Sequence, residues 1–359
     1  MKYYKLTALL LAVALLFSLA ACEFGTDNPT GGPTQEATAT VSPTEAPSDE
    51  PANTSGLEPA IRLAVLSGPT GVGAAKLLSD AENNPGALRA GYDCTIYTKN
   101  EDLVPGLTQG EIDIATMASN AAVNLYYKTN GGVQIITAGT KGVLHILEVK
   151  GGKEINSVAD LAGETIWATG QGANPEYILR YLLEQNKLTP GKDVKIEFSN
   201  DPSEIQAGLL TGEIRYAMLP VPAATVAIAQ GNGQIRAAID VTAAWNELQG
   251  GSQLIMTAVV ARTQFVKEHP ELVDAFLADY EESISFVNNN IDAAAELVAN
   301  YKLTPSAAIA KDAIPQCHLA FLSGYDMVSA LSGYFITLNA VAPNSLGGPV
   351  PDDGIYYIP

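Results

Sequence analysis

From residue 60 onward, short apolar runs alternate with stretches whose apolar residues recur at helical spacing. This alternation is typical of β-α-β units and predicts an α/β fold with mainly parallel sheets. Residues 68–71 are predicted to form a loop, and Ser119 is predicted to cap a helix. The predicted strands of this first part cover residues 61–66, 92–98, 111–117 and 133–138. The predicted helices cover residues 72–81, a segment that ends at Gly110, and residues 120–128.

The sequence also repeats itself at a constant offset. GLTQGEIDIA at residues 106–115 returns as GLLTGEIRYA at residues 208–217, 102 residues later, with six of ten positions identical. Such a period is far longer than that of solenoid repeats, so it predicts two similar lobes with a cleft between them. The second copy follows a predicted capping box at residues 157–160. Its predicted strands cover residues 165–168, 194–198, 214–219 and 235–239, and its first helix covers residues 175–185.

Beyond residue 241 the pattern has no counterpart in the repeat. This third portion is therefore predicted to cover or complete one of the lobes. Its predicted elements are a strand at residues 254–261 and helices at residues 271–288, 291–299 and 325–339.

The N-terminus has the pattern of an export signal. Lys2 and Lys5 precede an apolar run at residues 6–20, which is shorter than the roughly 20 residues that a membrane span needs. Residues 1–21 are therefore predicted to be a signal peptide. The LAAC sequence that ends at Cys22 resembles a bacterial lipobox, which implies cleavage before Cys22 and lipid on its sulfur. The alternative is an ordinary secretory signal that happens to end in cysteine.

Residues 22–58 are rich in Pro, Thr, Ser and acidic residues and contain almost no large apolar side chains. Such a segment cannot bury enough surface to offset its ordering entropy, so it is predicted to be a lipidated, disordered tether. Lys and Arg number 20 against 39 Asp and Glu, a formal net charge of -19, which argues against binding to nucleic acid. The predicted location is the outer face of the bacterial cytoplasmic membrane.

Cysteine and histidine residues give no sign of a metal site. Cys94 and Cys317 could form a disulfide or remain two free thiols. His145, His269 and His318 have no ligand spacing with one another or with cysteine, so no metal is predicted.

Four loops at the ends of predicted strands are candidates for ligand contacts. Ligands of open α/β sheets lie beyond the carboxyl ends of strands, where backbone amides at helix starts are exposed. The alternative is that their Gly and Pro residues only make tight turns. The candidate residues are Gly68, Pro69, Thr70, Gly71, Ser119, Asn120, Thr169, Gly170, Gln171, Gly172, Asn174, Pro220 and Val221.

Two further side chains are candidates near these loops. Lys141 follows a strand end and is the basic residue best placed to meet an anionic group. Trp245, just beyond the second copy, either stacks on a ligand at the cleft edge or packs between the lobes. The GPTGVG segment at residues 68–73 lacks the Lys of a phosphate-binding loop and the third glycine of a dinucleotide fingerprint, so no cofactor is predicted. No catalytic motif is present, and no catalytic residue is predicted.

The repeat, SVADLAGETIWA at residues 157–168 and FVKEHPELVDAFLADY at residues 265–280 together resemble the substrate-binding proteins of ABC importers. The resemblance spans roughly residues 60–300 and is greatest to the branch that handles nitrate, sulfonate, taurine and thiamine-pyrimidine precursors. It implies the bilobal periplasmic-binding-protein fold of the second type, with two similar α/β lobes joined by two hinge strands near residues 145–149 and 241–244. The implied division is residues 59–146 and 244–359 for lobe 1 and residues 147–243 for lobe 2.

The resemblance also implies particular ligand contacts. The sequences Gly-Pro-Thr-Gly and Pro-Val-Pro-Ala in these loops are not associated with any one known ligand, so the identity of the solute stays open. The implied contacts are Thr70, Ser119, Asn120 and Thr140 from the first lobe and Gln171, Asn174 and Val221 from the second.

The sequence thus predicts a monomeric extracytoplasmic lipoprotein that captures a small organic anion or a small heterocycle and delivers it to an ABC permease. It is not predicted to be an enzyme. Two alternatives remain: a ligand-sensing lipoprotein, and an enzyme like the pyrimidine synthase that the same branch contains. That synthase is cytosolic, whereas this chain has an export signal.

Overall fold

The computed structural model describes residues 60–199, 201–248 and 252–359. The predicted signal peptide, the predicted lipidation site Cys22 and the predicted tether at residues 22–58 lie outside the described residues. Two mixed sheets and the helices around them make up the described part of the chain.

Strands and helices alternate in the repeated part of the chain, and helices predominate after residue 262. The strands are β1 (Ala60–Leu66), β2 (Gly91–Tyr97), β3 (Ile114–Ala118), β4 (Val133–Thr140), β5 (Leu144–Val149), β6 (Thr165–Ala168), β7 (Lys195–Phe198), β8 (Tyr216–Pro220), β9 (Ile235–Asp240), β10 (Thr257–Arg262) and β11 (Leu319–Leu322). The helices are α1 (Pro69–Val72), α2 (Ala75–Asn83), α3 (Asn100–Gln109), α4 (Ser119–Lys128), α5 (Asn174–Gln185), α6 (Pro202–Thr211), α7 (Ala223–Gln230), α8 (Val241–Asn246), α9 (Thr263–Glu268), α10 (Pro270–Asn289), α11 (Ile291–Asn300), α12 (Ala307–Ala313) and α13 (Gly324–Val341). Short 3₁₀ turns lie at Pro85–Ala87, Val158–Leu161, Ile314–Cys317 and Asp353–Ile355.

The first sheet has the strand order β11-β4-β10-β3-β1-β2. Strand β1 runs parallel to both β2 and β3, whereas β10 lies antiparallel between β3 and β4. The edge strand β11 pairs antiparallel with β4. The portion of the chain without a counterpart in the repeat therefore completes this sheet through β10 and β11.

The second sheet has the strand order β7-β6-β8-β5-β9. Strand β6 is parallel to β7 and β8, and β5 lies antiparallel between β8 and β9. Strand β5 thus occupies in the second sheet the position that β10 occupies in the first. The prediction of mainly parallel sheets is wrong, because hydrophobic periodicity gives no strand direction and each sheet contains an inserted antiparallel strand.

The repeat reappears in the backbone conformation. Gly110 and Gly212 end their helices at φ values of 79° and 78°, and Asn130 and Asn232 adopt φ values of 50° and 47°. Positive φ favours glycine and is tolerated by asparagine, so these identities maintain the same turns in both copies.

The glycine that opens each repeated motif has a packing role. A Cβ atom on Gly106 would lie 2.5 Å from Cδ1 of Ile112, and one on Gly208 would lie 2.5 Å from Cδ1 of Ile214. These separations are too short for two carbon atoms. The repeated GL..GEI pattern therefore allows an isoleucine of the following segment to pack directly on the helix.

Two segments connect the sheets. Residues 141–143 join β4 to β5, and the chain returns from β9 to β10 through α8. The strand predicted near residues 241–244 is instead the start of α8. The Asp240 carboxylate accepts hydrogen bonds from the backbone N–H groups of Thr242 at 2.7 Å and Ala243 at 3.2 Å, and it thereby caps the helix.

Other differences from the predicted elements are local. The predicted loop at residues 68–71 is mostly the short helix α1, and the following helix begins at Ala75. The sequence pattern does not predict α9, α12 or β11, whose apolar runs are too short to show a clear period. No helix in the described part of the chain is long and apolar enough to cross a membrane.

Candidate functional site

The strand ends of the two sheets meet at one junction. Asn174 at the start of α5, beyond β6, approaches Ser119 at the start of α4, beyond β3, with 3.3 Å between Nδ2 and Oγ. The backbone N–H of Val221, after β8, donates to the carbonyl oxygen of Val143 at 2.9 Å. The structure therefore brings the predicted loops after β3 and β6 together and places the loop after β8 against the connection between the sheets.

Ser119 is fully buried at this junction. Its Oγ donates to the carbonyl oxygen of Ile255 at 2.7 Å, and its backbone N–H donates to the carbonyl oxygen of Met256 at 3.0 Å. The prediction that Ser119 caps α4 is wrong, because Ala118 is the N-cap residue and the Ser119 hydroxyl is committed to the segment before β10. Ser119 fixes the start of α4 against that segment.

Asn174 is buried, with 3% of its surface exposed. Besides Ser119, its Nδ2 approaches the carbonyl oxygen of Met256 at 3.5 Å. Its Oδ1 is buried and has no hydrogen-bond partner in the described structure. One side of the amide is therefore engaged with the first sheet, and the other side is free to accept a hydrogen bond.

Two threonines at equivalent positions of the repeat have the same unusual environment. Thr140 and Thr242 are 102 residues apart, and the Oγ1 of each is buried without a partner among the described residues. The backbone of Thr140 and Lys141 accepts hydrogen bonds from the N–H of Met256 at 3.0 and 3.1 Å. Thr140 and Asn174 thus contact the backbone of the same residue, Met256, from different sheets. Each carries a side-chain oxygen without a partner among the described residues.

The first predicted loop is closely packed at its end. Gly68 has a φ of 79° and its carbonyl oxygen accepts from the N–H of Gly71, which is buried. Pro69 and Thr70 are half-buried. Thr70 thus retains some exposure, whereas Gly71 packs into the core.

The loop after β6 forms a compact structure around Glu176. Thr169 is buried, whereas Gln171 and Gly172 are exposed. The N–H of Gly172 donates to Oε2 of Glu176 at 2.7 Å, and Arg180 donates to the other carboxylate oxygen at 2.7 Å. Gly170, half-buried, has a φ of 77° that this turn requires. Glu176 therefore already places a carboxylate at the N-terminal end of α5.

The remaining predicted contacts differ in accessibility. Val221 is fully buried and Pro220 is half-buried. Asn120, 8% exposed, lines a cavity of about 240 Å³ between α3 and α4, and Gly172 lies at the edge of that cavity. The cavity therefore has walls from both sides of the junction.

Trp245 has no exposed surface. Its ring centroid lies 4.7 Å from that of Tyr181 on α5 and 5.9 Å from that of Tyr334 on α13, and its Nε1 donates to the carbonyl oxygen of Ser252 at 2.6 Å. Of the two roles that the sequence left open, this environment favours packing between the two halves over stacking on a ligand.

His145, Asp240 and His318, which the sequence does not indicate as site residues, lie with Lys141 at the connection between the sheets. His318 Nδ1 lies 2.9 Å from the carbonyl oxygen of Gly142, and its Nε2 lies 3.7 Å from Oδ2 of Asp240. His145 is 5% exposed, and burial lowers its pKa, with a smaller opposing effect of Asp240 and a further lowering by His318. Lys141, half-buried, donates its backbone N–H to the carbonyl oxygen of His318 at 3.2 Å. These residues are far apart in sequence, so spacing gives no signal for the group.

The cysteine alternatives are resolved. Cys94 and Cys317 are both free thiols, and burial raises the pKa of each to about 12. Within the described residues, no group of three or more His, Cys, Asp and Glu side chains could hold a metal ion.

The fold is shared with solved periplasmic binding proteins. An ABC transporter structure from Parabacteroides distasonis is 21% identical with a TM-score of 0.70, over 83% of this chain and 98% of the other. The periplasmic aliphatic sulphonate binding protein SsuA from Escherichia coli is 16% identical with a TM-score of 0.66, over 84% and 92%. A Candida albicans protein with the generic periplasmic binding protein fold is 14% identical with a TM-score of 0.52, over 83% and 93%.

The sequence itself matches one family. Residues 88–312, more than half of the chain, match the family described as ABC transporter, phosphonate, periplasmic substrate-binding protein. No curated protein matches the sequence. The predicted fold and the resemblance to substrate-binding proteins of ABC importers are confirmed. The chain belongs to the phosphonate-type family of periplasmic substrate-binding proteins of ABC transporters.

Proposed function

We propose that this substrate-binding protein is anchored by lipid on Cys22 and binds a small organic solute at the junction of the two sheets, for delivery to an ABC permease. The observation that carries the proposal is the set of buried polar atoms without partners at this junction: Thr140 Oγ1, Asn174 Oδ1 and Thr242 Oγ1. Buried polar groups are normally hydrogen-bonded, so these atoms are available for a bound solute.

The proposed lobes are residues 59–146 with 244–359, and residues 147–243. Sheet membership supports two lobes, because β1 to β4, β10 and β11 form one sheet and β5 to β9 form the other. It moves the first boundary, however, because β5 (Leu144–Val149) lies wholly in the second sheet, so residues 144–146 belong with the second lobe. Residues 141–143 and α8 then serve as the hinge. Closure about this hinge brings Asn174 of one lobe against Ser119 of the other.

The binding energy must come mainly from side-chain hydrogen bonds and exclusion of water. Micromolar affinity corresponds to about -8.2 kcal/mol. A helix N-terminus contributes about 0.3 to 1 kcal/mol, and at best about 2. The exposed backbone amides of the predicted loops are therefore insufficient without the buried groups Thr140, Asn174 and Thr242.

The proposed solute is a small organic anion, with a small neutral heterocycle as the alternative. Lys141 supports an anion, since its half-buried side chain joins none of the ion pairs formed by the residues that the structure describes. The family description, which names phosphonate, and the sulphonate-binding neighbour from Escherichia coli support the same class. Thr70 is half-buried, Gln171 is exposed and the buried Asn120 lines the cavity between α3 and α4, so each is accessible to such a solute.

Titration calorimetry of the full chain in detergent, against short sulfonates, phosphonates, carboxylates and pyrimidines, tests the proposal. We expect saturable binding by at least one solute, and a decrease in radius of gyration on binding, measured by X-ray scattering. The double variant Thr140→Val with Asn174→Leu should weaken binding by tenfold or more, on the order of 1.4 kcal/mol. Thr137→Val, on the same strand but with a satisfied hydroxyl, is the matched control. Equal binding by both variants would place the site elsewhere.

The lipid anchor is tested separately. We expect a labelled fatty acid supplied to the growing host to be incorporated into the wild-type chain and not into the Cys22→Ser variant. Incorporation of the label into the Cys22→Ser variant would contradict lipid attachment through this residue.

A further inference from the structure

The orientation of the Asn174 amide is determined by its neighbours. The carbonyl oxygen of Met256, 3.5 Å from the amide, can only accept a hydrogen bond. Ser119 Oγ, at 3.3 Å, already donates its proton to the carbonyl oxygen of Ile255, so towards Asn174 it also acts as an acceptor. The amide nitrogen must therefore face these two atoms. Oδ1, an acceptor, is left on the opposite side.

This Oδ1 atom is buried and has no donor among the residues described. The local fold does not require an asparagine here, because α5 has Ala173 as its N-cap and no side-chain capping bond. The equivalent position of the first copy, 102 residues earlier, is the buried Val72. A buried acceptor without a partner is unfavourable, so its presence at the junction points to a ligand that donates.

The surroundings restrict the charge of that donor. Asn174 is the first residue of α5, where the partial positive charge of the helix disfavours a cation. The nearby Glu176 carboxylate is occupied, because it accepts from Gly172 and pairs with Arg180. A fully ionised anionic group has no proton to donate. A neutral hydroxyl or amide N–H therefore fits this position best.

Building on the proposed function, we propose that Asn174 Oδ1 accepts a hydrogen bond from a neutral hydroxyl or amide N–H of the solute. The solute is then bifunctional, with a neutral donor against the second lobe and its anionic group against the first. Asn174 acts as a specificity-determining residue that disfavours the purely alkyl analogue, since that analogue leaves Oδ1 unpaired.

Matched sets of solutes test this inference. Each set holds the alkyl, hydroxyalkyl, aminoalkyl and carbamoylalkyl forms of a short-chain sulfonate, phosphonate or carboxylate, and calorimetry of the full chain gives the dissociation constants. We expect the hydroxyl or carbamoyl form to bind at least about tenfold more tightly than the alkyl form. In Asn174→Leu, which cannot accept, this preference should fall to about twofold or less.

Two further variants keep the test informative. Asn174→Gln retains both the amide N–H donor and the acceptor oxygen and should retain the preference, which also covers the case that Asn174→Leu does not fold. Asn186→Leu, at the other end of α5, is the matched control and should leave the preference unchanged.

The outcomes separate this inference from the function on which it rests. Equal or tighter binding of the alkyl form, binding of the aminoalkyl form alone, or an unchanged preference in Asn174→Leu would overturn the inference while leaving solute binding intact. Absence of saturable binding by every form would overturn both.

Discussion

The Thr140 hydroxyl has no hydrogen-bond partner in the described structure, so its removal should stabilise the ligand-free protein. Thr140 and Thr137 lie on the same strand, β4, and both are buried. Thr137 Oγ1 donates to the carbonyl oxygen of Leu322 at 2.8 Å, whereas Thr140 Oγ1 has no partner in the described structure. Replacing each threonine by valine changes little volume but removes one hydroxyl. The two substitutions should therefore have opposite effects on the ligand-free protein.

The magnitude follows from the two environments. A buried polar group without a partner costs about 1–3 kcal/mol, so Thr140→Val should raise the free energy of unfolding by about 1 kcal/mol. Thr137→Val should lower it by about 1 kcal/mol, because it removes a buried hydrogen bond to the Leu322 carbonyl oxygen. For a domain of this size, 1 kcal/mol shifts the melting temperature by roughly 2–4 °C. The melting temperatures of the two variants should thus differ by about 4 °C or more.

Differential scanning calorimetry of the wild type and both variants, without added solute, provides the measurement. Thr242→Val, at the equivalent repeat position, should behave like Thr140→Val. If Thr140→Val destabilises the protein as much as Thr137→Val does, the Thr140 hydroxyl has a partner in solution and is not available to a solute.

Three further predictions follow from packing and burial. Gly106→Ala and Gly208→Ala should each lower the unfolding free energy by about 1–3 kcal/mol through overpacking against Ile112 and Ile214, measured by urea denaturation; a change within about 0.5 kcal/mol would contradict the contact distances. Trp245→Ala should cost about 3–5 kcal/mol in the same assay, because the side chain is fully buried, and a loss below about 1 kcal/mol would be inconsistent with that burial. Burial lowers the pKa of His145, so the unfolded chain binds its proton first as pH falls; melting temperatures should therefore decrease on acidification from pH 7.5 to pH 5, and less steeply in His145→Gln. An identical slope in His145→Gln would refute that assignment.

The sequence predicts much of the fold because the repeated motif has strict local requirements. Gly106 and its counterpart Gly208 are required for close packing, and Gly110 and its counterpart Gly212 are required for positive φ. Because both copies keep these glycines, the duplication is visible in the sequence. Apolar periodicity likewise predicts the long helix α10 within one residue at each end. Strand direction is not encoded in this way. The antiparallel insertion of β5 and β10 depends on tertiary pairing alone.

The candidate site is only partly predictable for the same reason. Loops after strands mark where Ser119, Asn174 and Thr140 lie, since topology places strand ends together. The sequence does not show which atoms of these side chains have hydrogen-bond partners, because the partners, such as Ile255 and Met256, are distant in sequence. The proximity of His318 to Asp240 is equally invisible to spacing, because it requires the chain to return from one sheet to the other.

The insertion of β10 between β3 and β4 also constrains the order in which the protein can fold. Among the described residues, strand β4 pairs with β10 and β11 and forms one bridge through Ile135 to Tyr356, and all of these partners follow the entire second sheet in the chain. A nascent chain that has emerged only to residue 146 therefore has β3 and β4 separated by an empty strand position, with their apolar faces and edges uncovered. The first lobe cannot complete itself before the second has been delivered. The N-terminal half should consequently depend on protection until residue 322 is available to pair.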